Sequence, residues 1–461
     1  METRAGSAKR KRSLCAQSLY ERSLCARSRY ARSLYERPAM NMIEKILARA
    51  SGRDRVAPGD VVVARVDHMV LHDLSSNFVS RVFDEELPGE PIAASSRIII
   101  VFDHNFSPAT EQAAQALLQV RRFAARHGIR NLFDCGSGSL HHVVIENGLW
   151  APGEIITGCD SHTTIYGALG LFSTGVGNNS MAGLGFRHGM GWFRVPETIQ
   201  VVFHGKAGES VTARDVSQFL VGHLGEEGAV YKAVEYAGPY IESLSVEDRL
   251  LFPLMAIDIG AKTGFINPDE KTAEFAKQWS GRKDFVLFQN DPGTVYEKVL
   301  EIDVSKLEPQ VACPPTVGNV KPIREAAGTE IQVAEVGGST GGRLQDIRDL
   351  AAHLKNKRIH QGVRLQVVPA TRGIYRAAVR EGLIEILMEA GAIIFPPSAG
   401  SNQAVNMGAL AEGEAILSTQ ARNFPGRNGH PKARHYLASV HTVAASAIAG
   451  RIADPRELPG L

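Results

Sequence analysis

The chain is predicted to be an α/β protein of two or three domains built on parallel sheets. Three observations predict it. Its 461 residues exceed what one compact core usually holds. From Met42 onward, β-branched apolar runs alternate with helix-period segments. Polar clusters of Gly, Ser, Asp and His fall just after those runs, where open parallel sheets bind ligands. With 44% hydrophobic and 22% charged residues the composition is that of an ordinary globular protein. No run of about 18 apolar residues occurs, so no membrane span is expected.

The first 41 residues stand apart. They repeat with a period of ten ("RSLCAQSLYE", "RSLCARSRYA", "RSLYERPAM") and hold ten Lys/Arg against three acidic residues. The whole chain is +2, so the remainder carries about −5 and offers no electrostatic case for nucleic-acid binding. An exact short repeat ahead of any core pattern reads as a disordered tail, a transit peptide or translated upstream sequence. The working protein is expected to begin near Met40 or Met42. Domains are expected at 42–200, 201–307 and 323–461, with Pro-rich "LEPQVACPPTVGNVKP" at 308–322 as a linker.

The elements follow in order. "SRIIIVFDHN" predicts a short buried strand, and "SPATEQAAQALLQVRRFAARHG" an amphipathic helix between a Ser/Pro start and a Gly end. "GEIITGCDSHTTIYGALG" reads strand, polar turn, helix. "LSVEDRLLFPLMAIDIGAKTG" places Ser245 and Asp248 at capping-box spacing before an apolar helix. "TEIQVAEVGGSTGGRLQDIRDLAAHL", "VRLQVVPATRGIYRAAVREGL" and "AGAIIFPPSAGS" each begin with a strand. The five cysteines, Cys15, Cys25, Cys135, Cys159 and Cys313, have no C-x-x-C spacing. A reducing compartment, and hence the cytoplasm, is the expectation.

Several clusters carry chemistry. In Asp103–His104 a carboxylate can orient an imidazole and stabilise its protonated form. His141 and His142 follow a Gly-rich turn, a place where histidines are commonly structural. Asp160, Ser161 and His162 lie between a strand and a helix start whose amides can receive an anion. Arg422 and Arg427 share a turn-rich segment, and their planar forks suit the carboxylates of a small polyanionic acid, although surface arginines are common.

Taken together, "FDHN", "GSGSLHHVVIENG", "GCDSHTTIYGALGLFSTGVG", "WFRVPETIQVVFHGK", "YKAVEYAG", "GAKTGFINPDEKT", "ARNFPGRNG" and "LASVHTVAASAIAGRIADP" resemble the aconitase superfamily, with the large subunits of 3-isopropylmalate dehydratase as the nearest likeness. The likeness runs from about Met42 to Pro455. It implies an aconitase-like three-domain α/β/α scaffold, with the fourth, swivelling domain supplied by a separate small subunit. It also implies a hydro-lyase of hydroxy di- or tricarboxylic acids. Asp103 and His104 would then protonate the departing hydroxyl. His141, Asp160, His162 and Asp258 would line the same site, and Ser161, Arg422 and Arg427 would bind substrate.

The resemblance also implies a [4Fe-4S] cluster held by three cysteines, and here the chain departs. The ligand positions carry Ser339, Ser398 and Ser401, hard hydroxyl donors where a cubane takes thiolates. Leu254, Asp258 and Ala421 replace family asparagine, glutamate and asparagine. The expectation is therefore a hydro-lyase with no cofactor or a single divalent metal in place of the cluster, and with a small polycarboxylate substrate and a small-subunit partner. A non-catalytic carboxylate-binding relative is the alternative. A nucleotide site at "VGGSTGGR" is the weakest reading, because no Lys-Ser/Thr follows the glycines.

Overall fold

A computed structural model describes residues 39–338 and 340–457. Ser339 and the decapeptide repeat, with Cys15 and Cys25, lie outside the described residues. Three parallel-rich sheets organise the chain. The first has five parallel strands in the order Asn131–Phe133, Ile98–Val101, His68–His72, Ile155–Gly158, Phe172–Gly175. Ile98–Val101 is buried along its whole length because helices cover both faces of this sheet, which is why it reads as unbroken "IIIV". The second sheet has four parallel strands, Thr263–Phe265, Ala233–Ala237, Thr198–His204 and Lys298–Asp303.

The third sheet has seven strands. Its five parallel members run Arg434–Leu437, Ala415–Ser418, Val333–Gly337, Arg364–Val368, Ile393–Ile394. The Pro-rich segment expected as a linker adds two antiparallel strands at its edge, Gln310–Ala312 and Val320–Pro322. A ribbon of Val61–Arg65 and Met190–Arg194 stands apart.

Three helical expectations are corrected. The helix after Ile98–Val101 starts at Glu111, capped by Thr110 rather than by Ser107–Pro108, because Thr110 Oγ1 reaches the Ala113 N–H. Ser161–Leu169 is a 3₁₀ turn, not an α-helix; it carries β-branched Thr163, Thr164 and Ile165 and packs Gly167 against the Gly264 carbonyl. Ser245 does cap Asp248, but the apolar segment beyond it breaks into Val246–Arg249, Leu251–Leu254 and a 3₁₀ turn Met255–Ile259, since Pro253 removes a backbone donor.

Packing begins just before the helix Met42–Ser51. Asn41 caps it reciprocally with Glu44 and donates to Thr198 Oγ1, and the Met40 N–H donates to Asp291. Residues 40 and 41 thus belong to the folded body rather than to the extension.

Candidate active site

The loops after three neighbouring strands of the first sheet carry Asp73, Asp103–His104 and Asp160–His162, all at the carboxyl edge. Facing them are loops from the carboxyl edge of the third sheet: Pro396–Gln403 after Ile393–Ile394, and Thr419–Arg427 after Ala415–Ser418. The two edges are stitched together, the Ala399 N–H donating to the Asp103 carbonyl (2.9 Å) and Asn406 Nδ2 to the His104 carbonyl (2.9 Å).

Asp103 and His104 are in contact. His104 Nδ1 lies 2.8 Å from Asp103 Oδ1, and Asp103 Oδ2 accepts from the Leu140 N–H at 2.8 Å. Sequence reasoning missed Asp73, which is 1% exposed and supports both residues. Its Oδ1 accepts from the His104 N–H (3.0 Å), and its Oδ2 from the Asn105 N–H (3.0 Å) and Nδ2 (2.6 Å). Burial opposes charge on His104, but Asp103 and Asp73 outweigh it and raise the imidazole to about 10. Burial also opposes the Asp73 carboxylate, and the hydrogen bonds and charge of His104 hold it well below the usual range. The signal for Asp73 was its place after the run "HMVLH", at a strand end.

On the next strand end Asp160 collects its neighbours. Its Oδ1 accepts from the His162 N–H (2.7 Å) and meets His141 Nε2 (3.0 Å), while His141 Nδ1 meets the Tyr166 hydroxyl (3.1 Å). The helix-start amide expected to receive an external anion is therefore capped by Asp160 itself. Half-buried Ser161 sits between them. His142 turns away, into a separate cleft of about 300 Å³ with Phe275 and Trp279.

Asp258, on its 3₁₀ turn, pairs with Arg422 through Nε at 3.0 Å. Its other oxygen is 3.7 Å from His162 Nε2, too long for a hydrogen bond, and both atoms are buried without a partner. Arg427 donates to Asn402 Oδ1, and Asn402 Nδ2 lies 3.2 Å from His104 Nε2. Burial and the nearby Arg422 lower Arg427 to about 10. The structure thus brings Asp103, His104, His141, Asp160, His162, Asp258, Arg422 and Arg427 into one neighbourhood and adds Asp73 and Asn402.

Behind this cleft the serine loops close on one another. Glu335, 0% exposed on the central strand Val333–Gly337, accepts from Ser401 N (3.0 Å) and Gln420 Nε2 (2.8 Å) and is bonded to Ser401 Oγ. In the orientation that satisfies both ends of its amide, Asn428 accepts from Ser401 Oγ (2.7 Å) and donates to the Arg427 and Ser401 carbonyls (3.0 and 3.2 Å). Burial pushes Glu335 up, against the hydrogen bonds from Ser401 and Gln420. Ser398 Oγ donates to the Pro396 carbonyl (3.2 Å) and accepts from the Gly400 N–H (3.2 Å).

Among the described residues the two loops approach each other closely. A Cβ on Gly338 would lie 2.6 Å from Gln420 Nε2, and one on Gly400 2.6 Å from Glu335 Oε1. The described cysteines, Cys135, Cys159 and Cys313, are free, and burial pushes the Cys135 thiol up to about 11 and Cys159 to about 12. Among the described residues one trio, His72, Asp73 and His104, brings metal-ligand atoms within 4.8 Å of one another. Asp73 is fully committed to the hydrogen bonds above, and His72 Nδ1 accepts from the Ser75 N–H at 3.3 Å.

Residues 44–450 match the Aconitase family (aconitate hydratase). The chain belongs to the aconitase family. This aconitase-family chain is 44% identical over 420 residues to a probable 3-isopropylmalate dehydratase large subunit of Methanothermobacter thermautotrophicus, covering 91% of this chain and 100% of that protein. It is 44% identical over 423 residues to 3-isopropylmalate dehydratase large subunit 1 of Pyrococcus furiosus, covering 91% and 99%. A solved aconitase X of Thermococcus kodakaraensis in its holo-form aligns at a TM-score of 0.45 and 11% identity over 82% of this chain and 89% of that one, a likeness too slight to carry an argument. No helix of the described residues is long and apolar enough to cross a membrane.

Proposed function

We propose that this aconitase-family enzyme is a hydro-lyase that adds water to, or removes it from, a small hydroxy or unsaturated di- or tricarboxylic acid, and that it works without a conventional [4Fe-4S] cluster. The observation that carries the reading is the meeting, in one cleft, of a charged acid with two carboxylate anchors: Asp103–His104 on one sheet edge, Arg422 and Arg427 on the other.

In the dehydration direction Arg422 and Arg427 hold the substrate carboxylates by charge-assisted hydrogen bonds. His104, kept protonated by Asp103 and Asp73, presents Nε2 to the departing hydroxyl and gives it a proton as the C–O bond breaks. Asp160 fixes His141 and His162, and the unpartnered His162 Nε2 and Asp258 Oδ2 are available to a substrate hydroxyl. Ser161 lies within the same turn as a further hydrogen-bonding group.

The donor set argues against a cubane. Hydroxyls stand in for thiolates at Ser398 and Ser401, Ser401 is engaged by Glu335 and Asn428, and Gln420 lies against both loops. Hydrogen bonds likewise account for the trio His72, Asp73 and His104 without an ion. Proton removal beside a carboxylate is hard without a Lewis acid, so a substrate with an activated C–H bond fits best.

The carbon-bound proton needs a base, and the curated relatives are named large subunits. A small α/β subunit that closes over Asp160, His162 and Arg427 would supply it. The test is anaerobic purification with and without such a subunit, iron and sulfide analysis, and ultraviolet detection of unsaturated acid formed from hydroxy acids. A colourless, iron-poor protein that turns over is expected. A brown protein with full cubane iron and sulfide would overturn the cluster-free part, and carboxylate binding with no turnover of any acid would leave a binding protein instead.

A further inference from the structure

Asn402 has no part in the chemistry above, yet its carboxamide stands at the junction of the two working groups. Its Oδ1 accepts from Arg427 Nη2, and its Nδ2 lies 3.2 Å from His104 Nε2. The chain is anchored on either side of it. Before it, Ser401 is tied by backbone and side chain to buried Glu335. After it, Gln403 (φ 60°) and Ala404 (φ 51°) both adopt left-handed backbone, and Asn406 Nδ2 donates to the His104 carbonyl at 2.9 Å. Side-chain-bearing residues rarely hold that conformation, and two in succession are kept where the surrounding structure enforces them for use.

A carboxamide offers one strong acceptor and one donor. With its oxygen on the guanidinium, the Asn402 amide stands where a substrate carboxylate would pair. Its nitrogen faces protonated His104 Nε2 at 3.2 Å, donor against donor, so the amide is bonded to Arg427 alone. We propose that Asn402 is a substrate-displaced latch. It holds Arg427 in register in the free enzyme and gives it up to an incoming carboxylate. The exchange rests on the proposed carboxylate site and requires only that a carboxylate binds.

Two variants of the same branched outline separate a latch from a residue that merely orders its loop. In N402D a carboxylate sits on Arg427 and must be expelled by the ligand, whereas N402L frees Arg427 altogether. Calorimetric titration with malonate, on protein that folds as the wild type by circular dichroism, should find N402D about tenfold weaker than wild type and N402L equal or tighter. With a hydroxy acid that turns over, N402D should raise KM about tenfold, whereas N402L should not raise it.

A purely structural role would move both variants the same way. Malonate affinities that fall together, that stay within about twofold across all three proteins, or that are absent in the wild type overturn the latch. If malonate responds as expected and no form dehydrates any acid, the latch stands and the hydro-lyase reading fails. If the wild type turns over while N402D binds malonate unchanged, the reading stands and the latch fails.

Discussion

His104 gathers more charge than any other imidazole in the cleft, and its titration is open to test. Its folded value of about 10 lies above the ordinary 6.5, despite burial, because of Asp103 and Asp73. A raised value means that the folded chain holds a proton the unfolded chain releases. The resulting stability is complete below pH 6.5 and is lost as pH rises through about 10. Asp103→Asn should therefore flatten the decline in stability across that window, measured by denaturant titration at a series of pH values. The arginines should respond differently from each other. Arg427→Ala should cost about 2–3 kcal/mol of transition-state binding in kcat/KM, with poor rescue by lysine, which lacks the planar fork. Arg422→Ala should cost stability as well, ~2 kcal/mol, because it strands the buried Asp258; its own 27% exposure keeps the loss from being larger. Asp103, His104, Asp160, His162 and the two arginines were legible because each sits in a distinctive local string. Asp73, Asn402 and Glu335 were not, because their meaning lies in neighbours 31, 298 and 66 positions away along the chain.

Among the elements, strands were the more legible. A buried parallel strand announces itself as a β-branched run, so Ile98–Val101, Ile155–Gly158 and Val333–Gly337 stand where the sequence predicts them. Helices were less so, since the break at Pro253 answers to a missing backbone donor and that in Ser161–Leu169 to close packing on Gly264, neither of which shows in the periodicity. That packing predicts a large effect from a small change. A Cβ on Gly167 would lie 1.8 Å from the Gly264 carbonyl oxygen, so Gly167→Ala should destabilise by roughly 3 kcal/mol or more in thermal or chemical unfolding. At the other end of the chain Asn41→Ala should cost ~1 kcal/mol by removing the cap of Met42–Ser51, while a truncation that starts at Met40 should leave stability and activity unchanged. The Pro-rich segment misled because prolines suit edge strands as well as linkers: Gln310–Ala312 and Val320–Pro322 are such an edge.

For the whole molecule, restoring cysteine at Ser339, Ser398 and Ser401 should not by itself rebuild a cluster. Glu335 and Gln420 would still lie against the two loops, and the triple variant should stay colourless after iron and sulfide reconstitution, read by visible absorption. The helix Ala213–Leu224 shows what kind of body the site is set in. From the flank of the second sheet it sends Arg214 to the Thr419 and Gln420 carbonyls (3.2 and 2.6 Å), Gln218 to the Leu437 carbonyl (2.9 Å) and Asp215 to the Gln310 N–H (2.9 Å), all buried in the third. Two of those bonds grip the backbone just ahead of Arg422. Pulling the second and third sheets apart would break all four of these buried hydrogen bonds at once, so the two sheets behave as one welded frame. It should melt as a single calorimetric peak. With the small subunit proposed above as the gate, the rate at which product escapes becomes a property of that moving part rather than of this chain.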